Sequence, residues 1–143
     1  GLGDVYKRQA YGLILLRKDG YPCIFYGDYY SIKRKQSPHR PILDILLDAR
    51  KKYAHGEQLD YFDHPNTIGF TRKGDEAHPH SGLALLISNG EDGDKIMQVG
   101  TEHQGEIWHE ITGNRQEEVT IDEEGNGKFT VSGSKLAVWV VKI

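Results

Sequence analysis

From Gly56 to its end, the sequence is a regular succession of short apolar runs separated by turn-forming clusters. The clusters combine glycine, asparagine and aspartate, as in Asn89-Gly90-Glu91-Asp92-Gly93-Asp94, and these residue types favour tight turns. Short strands that alternate with turns in this way predict an antiparallel β-sandwich or barrel. The predicted strands are 59–63, 67–72, 82–88, 95–99, 106–111, 118–121, 127–131 and 135–141.

The part of the chain before Gly56 has the pattern of an α/β fold. Residues 10–17 read as the end of an apolar helix, and residues 21–26 form a continuously apolar run. Such a run is typical of a parallel strand that is covered on both faces. Cys23, the only cysteine, lies in this run and is predicted to be a buried strand residue. Helix, buried strand and helix in this order form the repeating unit of an α/β fold.

The second helix of this unit is predicted to open at Pro41 and to end at Gly56. Apolar residues recur in it at helical spacing and predict one buried stripe, which consists of Ile42, Ile45, Leu46, Ala49 and Tyr53. A single strand cannot satisfy its own backbone, so we expect this part to need a sheet from outside the chain. Without that sheet, the stripe is expected to be exposed.

Residues 1–9 show no helical period, no cap and no apolar face. We interpret them as a non-native segment derived from an adapter and leave them out of the predicted fold. The predicted division is therefore 1–9 for this segment, 10–56 for the end of the α/β domain and 57–143 for the all-β domain.

Charge and hydropathy exclude two classes of partner at this stage. The formal net charge is −3, and the sequence has no long cluster of lysine and arginine, which argues against nucleic acid. No run is long and apolar enough for a transmembrane helix, so no membrane partner is expected. The lone cysteine allows no intrachain disulfide.

A histidine-rich segment, His78-Pro79-His80, has Asp75 and Glu76 nearby and raises the question of a metal site. Zinc requires three or four converging ligands, and no spacing such as His-Glu-x-x-His supplies them. A solvated loop is the favoured interpretation. Asp92-Gly93-Asp94 resembles the start of a calcium loop, but Ile96 stands where an oxygen ligand belongs, so a hairpin turn is predicted.

Gly27 and Asp28 directly follow the buried run 21–26. In a barrel enzyme the active site lies at the carboxyl ends of the strands, so both residues are candidates for the floor of a substrate cleft. An aspartate that bonds to backbone amides of its own loop explains the same position equally well. Both interpretations stay open.

Several motifs, in order along the chain, resemble those of one enzyme family. They include Gly-Tyr-Pro-Cys-Ile-Phe-Tyr-Gly-Asp at 20–28 and Trp-His-Glu-Ile-Thr-Gly-Asn-Arg at 108–115. The others are 41–43, 49–56, 60–64, 69–75, 81–87 and 138–140. From about residue 10 onward, the chain resembles the C-terminal portion of bacterial α-amylases of the liquefying and cytoplasmic type, in glycoside hydrolase family thirteen.

The resemblance implies the last strand and helices of a (β/α)8 barrel over 10–56 and an antiparallel Greek-key β-sandwich over 57–143. It implies endo-hydrolysis of α-1,4-glucosidic bonds in starch, glycogen or maltodextrin, with retention, and so an α-glucan as substrate. The family's nucleophile, acid/base and transition-state stabiliser all precede the segment present here. No catalytic residue is therefore assigned, the missing barrel strands are an expected partner, and the chain alone is expected to be inactive.

The resemblance also implies calcium in the barrel of the parent enzyme. In secreted relatives, a calcium ion between barrel and sandwich is held partly by two aspartates, and Asn66 and Asn89 stand at those positions. The loss of two formal negative charges weakens such a site, so we expect this chain to bind no metal. This departure and the lone cysteine favour a cytoplasmic protein, with secretion as the alternative.

Two roles are considered for the β-sandwich, and the first is favoured. In the first, it stabilises an enzyme by covering one end of the barrel, with Phe70, Trp108 and Trp139 in the core or the interface. In the second, it is a non-catalytic glucan-binding module, which requires at least two coplanar, exposed aromatic side chains. Trp108 alternates with Ile107 and His109 and is the candidate for such exposure. A free-standing protein of another function is disfavoured by the incomplete barrel.

Overall fold

The computed structural model describes residues 2–18 and 40–143. The helices are α1 (Leu2–Leu16) and α2 (Arg40–Lys52), and the strands are β1 (Gln58–Tyr61), β2 (Thr67–Arg72), β3 (Leu83–Ser88), β4 (Gly93–Gln98), β5 (Ile107–Glu110), β6 (Glu118–Thr120), β7 (Asn126–Val131) and β8 (Leu136–Val141). Each strand that the sequence predicts after Gly56 is present, and its ends differ from the prediction by two residues at most. Neither described helix is long and apolar enough to cross a membrane.

The strands form two antiparallel sheets that face each other. The large sheet has the order β1-β2-β3-β8-β5-β6, and the small sheet pairs β4 with β7. β8 lies beside β5 in the large sheet. In a Greek key the fourth of four successive strands lies beside the first, and β5 to β8 follow this order. The third of them, β7, belongs to the small sheet. The prediction of an antiparallel all-β domain is confirmed.

β3 and β8, at the centre of the large sheet, are buried along their whole length. Alternate residues of each strand point into two separate cores, because successive side chains of a strand lie on opposite faces. One core lies between the two sheets and contains Trp108, Phe129 and Trp139. The other lies between the large sheet and the helices. The continuous apolar runs of β3 and β8 thus reflect burial on both faces.

The helices cover the outer face of the large sheet. Leu15 and Leu16 of α1 pack in the same core as Leu43 and Leu46 of α2, and all four are fully buried. Gly12 permits the close approach of α1, since a Cβ there would lie 2.8 Å from a methyl of Leu136. α2 therefore packs against α1 and the large sheet of this chain, whereas the need of the predicted strand 21–26 for an outside sheet concerns residues beyond those described.

This packing corrects two expectations for α2. The apolar stripe is not left exposed, because Leu46 and Ala49 are fully buried against the sheet. Its position is also shifted: Leu43, which was not expected in the stripe, is fully buried, whereas Ile42 and Ile45 are only half-buried. The stripe faces α1 as well as the sheet, and Leu43 and Leu46 both pack in the core that these elements share.

The C-terminal end of α1 is held by two arginines from other elements. Arg50 of α2 donates from Nη1 to the Leu15 carbonyl at 2.7 Å. Arg72 of β2 donates to the Leu16 carbonyl at 3.2 Å and to the Gly56 carbonyl at 2.9 Å. The last carbonyls of a helix have no partner within the helix and carry partial negative charge, so the guanidinium groups both pair and neutralise them.

Residues 2–9 are part of α1, so no structural break separates them from residue 10. The buried Gln9 donates from Nε2 to the Ser88 carbonyl at 3.0 Å, and the Tyr6 hydroxyl donates to Asn89 Oδ1 at 3.4 Å. The expectation that residues 1–9 take no part in the fold is therefore wrong for residues 2–9. The non-native origin of this segment stays a prediction. The predicted strand 21–26, with Cys23, lies outside the described residues.

Candidate functional site

Of the predicted site residues, Gly27 and Asp28 lie outside the part of the chain that the structure describes. Asn66 and Asn89 are brought together, because Thr67 and Ser88 are register partners at the ends of β2 and β3. The backbone N–H of Asn89 donates to the backbone carbonyl of Asn66 at 2.9 Å. The two positions that the resemblance associates with calcium are therefore neighbours at one corner of the sandwich.

The residues at this corner do not fit a calcium ion. Calcium requires six to eight oxygen ligands and is held mainly by carboxylates. Asn89 Oδ1 instead accepts from the Tyr6 hydroxyl, and the nearby Asp63 is paired with Lys95 at 2.9 Å. Over residues 2–18 and 40–143, no trio of carboxylates or imidazoles converges on Asn66 and Asn89.

The three aromatic residues that the stabilising role places in the core or the interface are in the core. Phe70, Trp108 and Trp139 are completely inaccessible to solvent, so Trp108 does not have the exposure that the glucan-binding alternative requires. β5 turns Trp108 inward between the two sheets and leaves Ile107 outside, 44% exposed. Trp108 is held there by a hydrogen bond from its Nε1 to Glu106 Oε1 at 3.0 Å.

The described surface provides no pair of coplanar aromatic rings for a sugar. Among the large apolar side chains, the exposed aromatic ones in the described ranges are Tyr6 and Phe62. The guanidinium of Arg17 lies over the Phe62 ring, 5.3 Å from its centroid, in the geometry of a cation–π contact. The requirement set for a glucan-binding platform is not met by the residues that the structure describes.

The motif at 108–115 has a structural role that its sequence pattern did not indicate. The carboxylate of Glu110 is buried and accepts from the backbone amides of Thr112, Asn114 and Val138 at 2.9, 2.7 and 2.8 Å. The Thr112 hydroxyl also donates to it. One carboxylate thus ties the loop after β5 to the central strand β8.

The same loop carries an ion pair between Arg115 and Glu117. Arg115 donates to both carboxylate oxygens of Glu117, at 2.9 and 3.1 Å, and the Thr130 hydroxyl adds a bond at 2.8 Å. The Arg115 hydrogen bond is the main cause that lowers the pKa of Glu117 from 4.5 to about 2. The pair connects the loop after β5 to the small sheet.

We expect this pair to make the fold sensitive to acid. A carboxyl whose folded pKa is lowered stabilises the fold above its unfolded pKa of 4.5 and loses that contribution as the pH falls towards about 2. Because 40% of the Glu117 side chain is exposed, solvent screening limits the contribution to about 1 kcal/mol. Glu117→Gln should therefore lower the free energy of urea unfolding at about pH 6 and have little effect at about pH 2.5.

The exposed Glu123, changed to glutamine, is the matched control for this acid effect. An equal difference between wild type and Glu117→Gln at both pH values would contradict the prediction.

The contacts of the histidine-rich loop differ from those that its sequence indicates: His78 and His80 do not form a pair. His78 Nδ1 is bonded to Asp75 Oδ1 at 2.7 Å, whereas His80 is exposed and has a φ of 65°. The ring that stacks on His78 belongs to His55, with centroids 3.5 Å apart and planes inclined by 1°. His55 follows α2 in the chain, and no local spacing in the sequence indicates that it meets this loop.

The expected hairpin turn at 92–94 is wrong. β3 lies in the large sheet and β4 in the small sheet, so the segment between them crosses from one sheet to the other, and Gly93 and Asp94 already belong to β4. Asp92 accepts from the Gly133 amide at 2.7 Å, and Arg115 lies 3.7 Å from its other oxygen. Asp92 therefore links the segment before β4 to the turn before β8 and to the loop after β5.

Comparison with known proteins finds alpha-amylases and their C-terminal domain. The family model for the alpha-amylase C-terminal domain matches residues 83–140. The chain is 50% identical, over 96% of its length, to a glucan 1,4-alpha-maltohexaosidase from a Bacillus species, and 38% identical, also over 96%, to the cytoplasmic alpha-amylase of Escherichia coli. It spans only 27% and 30% of those two relatives.

A solved structure shows the same fold at low identity. The structure of an alpha-amylase from Malbranchea cinnamomea superposes with a TM-score of 0.69 over 96% of this chain and 33% of its own, at 12% identity.

Proposed function

Residues 83–140 of this chain belong to the alpha-amylase C-terminal family, and from that premise we propose that the chain is the C-terminal part of a family-thirteen alpha-amylase. The proposed enzyme cleaves internal α-1,4-glucosidic bonds of starch, glycogen or maltodextrin with retention of configuration. The observation that carries this proposal is 50% identity to the maltohexaosidase over almost the whole chain, helices included.

In this proposal residues 10–16 of α1 and the whole of α2 belong to the last helices of the catalytic barrel, and the β-sandwich is its stabilising domain. The core between helices and large sheet supports this role: Leu16, Leu43 and Phe70 are all fully buried in it. A barrel element that packs so completely on the sandwich is held in position by it. Burial of each such side chain contributes about 1.5–3 kcal/mol.

The alternative, a glucan-binding module, has less support. Its strongest candidate, Trp108, is buried, and one face of the exposed Phe62 lies under Arg17. Sugar recognition by stacking requires free aromatic faces, which the described surface does not offer in pairs. We therefore propose that α-glucan contacts the catalytic barrel of the parent enzyme.

The position of the calcium ion and the cellular compartment of the parent enzyme are part of the same proposal. Calcium is proposed for the parent barrel, outside the residues described here, and not for the corner at Asn66 and Asn89. A cytoplasmic enzyme is proposed because Asn66 and Asn89 stand where the resemblance places two calcium-binding aspartates of secreted relatives, and because the chain has a single cysteine.

The catalytic step is proposed to depend on residues that precede this segment in the parent enzyme. We predict that the purified 143-residue chain releases no reducing sugar from soluble starch above a mock preparation. The complete reading frame, recovered from genomic DNA across the codon for Ala10 and expressed, is expected to hydrolyse starch. Starch cleavage by the chain alone would contradict the first expectation, and a stop codon or unrelated frame upstream would contradict the second.

A further inference from the structure

Two backbone segments, 53–56 and 74–82, are held against each other at the edge of the fold. The Gly74 amide donates to the His55 carbonyl, and the Gly82 amide donates to the Tyr53 carbonyl, both at 2.8 Å. Gly56 has a φ of 82°, and a Cβ on it would lie 2.0 Å from the Gly74 carbonyl oxygen. Only glycine permits this approach, which brings His55 directly onto the loop that carries Asp75 and His78.

The hydrogen bonds of the two imidazoles leave one nitrogen of each ring available. His55 Nε2 lies 2.7 Å from the Lys51 carbonyl oxygen, which only accepts, so in the neutral imidazole Nε2 carries the proton and Nδ1 offers a lone pair. His78 Nδ1 lies 2.7 Å from Asp75 Oδ1, so Nδ1 donates and Nε2 offers a lone pair.

We propose that His55, Asp75 and His78 form a binding site for a divalent transition-metal ion of the zinc class. One ligand atom from each of the three side chains lies within 4.8 Å of the others. Imidazole nitrogens with one carboxylate oxygen suit zinc and its neighbours, whereas calcium and magnesium require oxygen ligands. The exposed position of Asp75 and His78 leaves the remaining coordination positions to water. This site is separate from the catalytic function proposed above and does not depend on it.

The stacked arrangement identifies the movement that binding requires. A metal ion lies in the plane of an imidazole that ligates it, so two parallel rings with centroids 3.5 Å apart cannot both bind one ion. One ring must turn, and the His78 side chain, 46% exposed, has the space to do so. This turn breaks the bond between His78 Nδ1 and Asp75 Oδ1, and the carboxylate then becomes available to the ion. Metal binding is therefore expected to break the stack between His55 and His78.

Zinc titration of the tag-free 143-residue chain tests this site. Calorimetry should show one equivalent of zinc bound by the wild type, and His55→Gln or His78→Gln should weaken its affinity at least about tenfold. Nitrogen-15 chemical shifts should move for the imidazoles of His55 and His78 on addition of zinc. Cobalt(II) in place of zinc should give visible absorption bands that the same variants lose.

His80→Asn is the matched control, since His80 is exposed in the same loop and asparagine accepts its positive φ. It should bind zinc like the wild type. Near-ultraviolet circular dichroism of the two buried tryptophans should be unchanged in every variant, which separates loss of ligands from loss of fold. No binding by the wild type, equal affinity in all variants, or equal weakening by His80→Asn would overturn the proposal.

Discussion

Trp139→Ala is expected to destabilise the fold by about 3–5 kcal/mol, a large part of the stability of a domain of this size. Trp139 is completely buried on the central strand β8, and its ring lies 5.9 Å from that of Phe129 on the opposite sheet. Its Nε1 also donates to the Thr130 carbonyl at 2.9 Å. The substitution leaves a cavity between the sheets and removes one of the hydrogen bonds that join them.

Urea unfolding followed by far-ultraviolet circular dichroism measures this loss. Ile107→Ala is the control, because Ile107 is a large apolar residue of the same sheet that is 44% exposed, and its change should alter stability by no more than about 0.5 kcal/mol. Similar losses for the two variants would show that Trp139 does not hold the sheets together as the structure indicates.

The strands were predictable from the sequence because their signals are local. Alternating apolar residues, as in β7, and turn clusters such as Asn89-Gly90 lie within a few positions of each other. Burial of β3 and β8 on both faces was also present in the sequence as continuous apolar runs. Applied there, the rule that such runs are covered on both faces predicts a covered outer face of the large sheet, but it does not identify α1 and α2 as the elements that cover it.

The contacts of the candidate sites could not be predicted in the same way. His55 and His78 meet because two glycines allow two distant backbone segments to approach, and no periodicity encodes that distance. The inward orientation of Trp108 depends on which face of β5 meets the small sheet, and a shift of one residue in register reverses it. Such information lies in the pairing of strands and is absent from any single segment.

Glu110 is the residue whose loss should most affect the end of the sandwich around β5 and β8. Its carboxylate is buried and accepts from three backbone amides, so Glu110→Ala leaves donors without an acceptor in a region that water reaches poorly. Each buried donor that loses its partner costs about 1–3 kcal/mol, and we expect a total loss of about 3–5 kcal/mol.

Glu110→Gln separates the contribution of the negative charge from that of the shape of the side chain. The amide keeps one acceptor oxygen but places an NH2 group where the second oxygen accepts from the Val138 or the Asn114 amide, so a smaller loss of about 1–3 kcal/mol is expected. Urea unfolding of both variants, with Glu123→Ala as an exposed control, shows which substitution lowers the free energy of unfolding more. Hydrogen exchange should in addition show faster exchange at the Asn114 and Val138 amides in both Glu110 variants. If Glu110→Ala were no more destabilising than Glu123→Ala, the hydrogen bonds of Glu110 would not stabilise the link between the loop and β8.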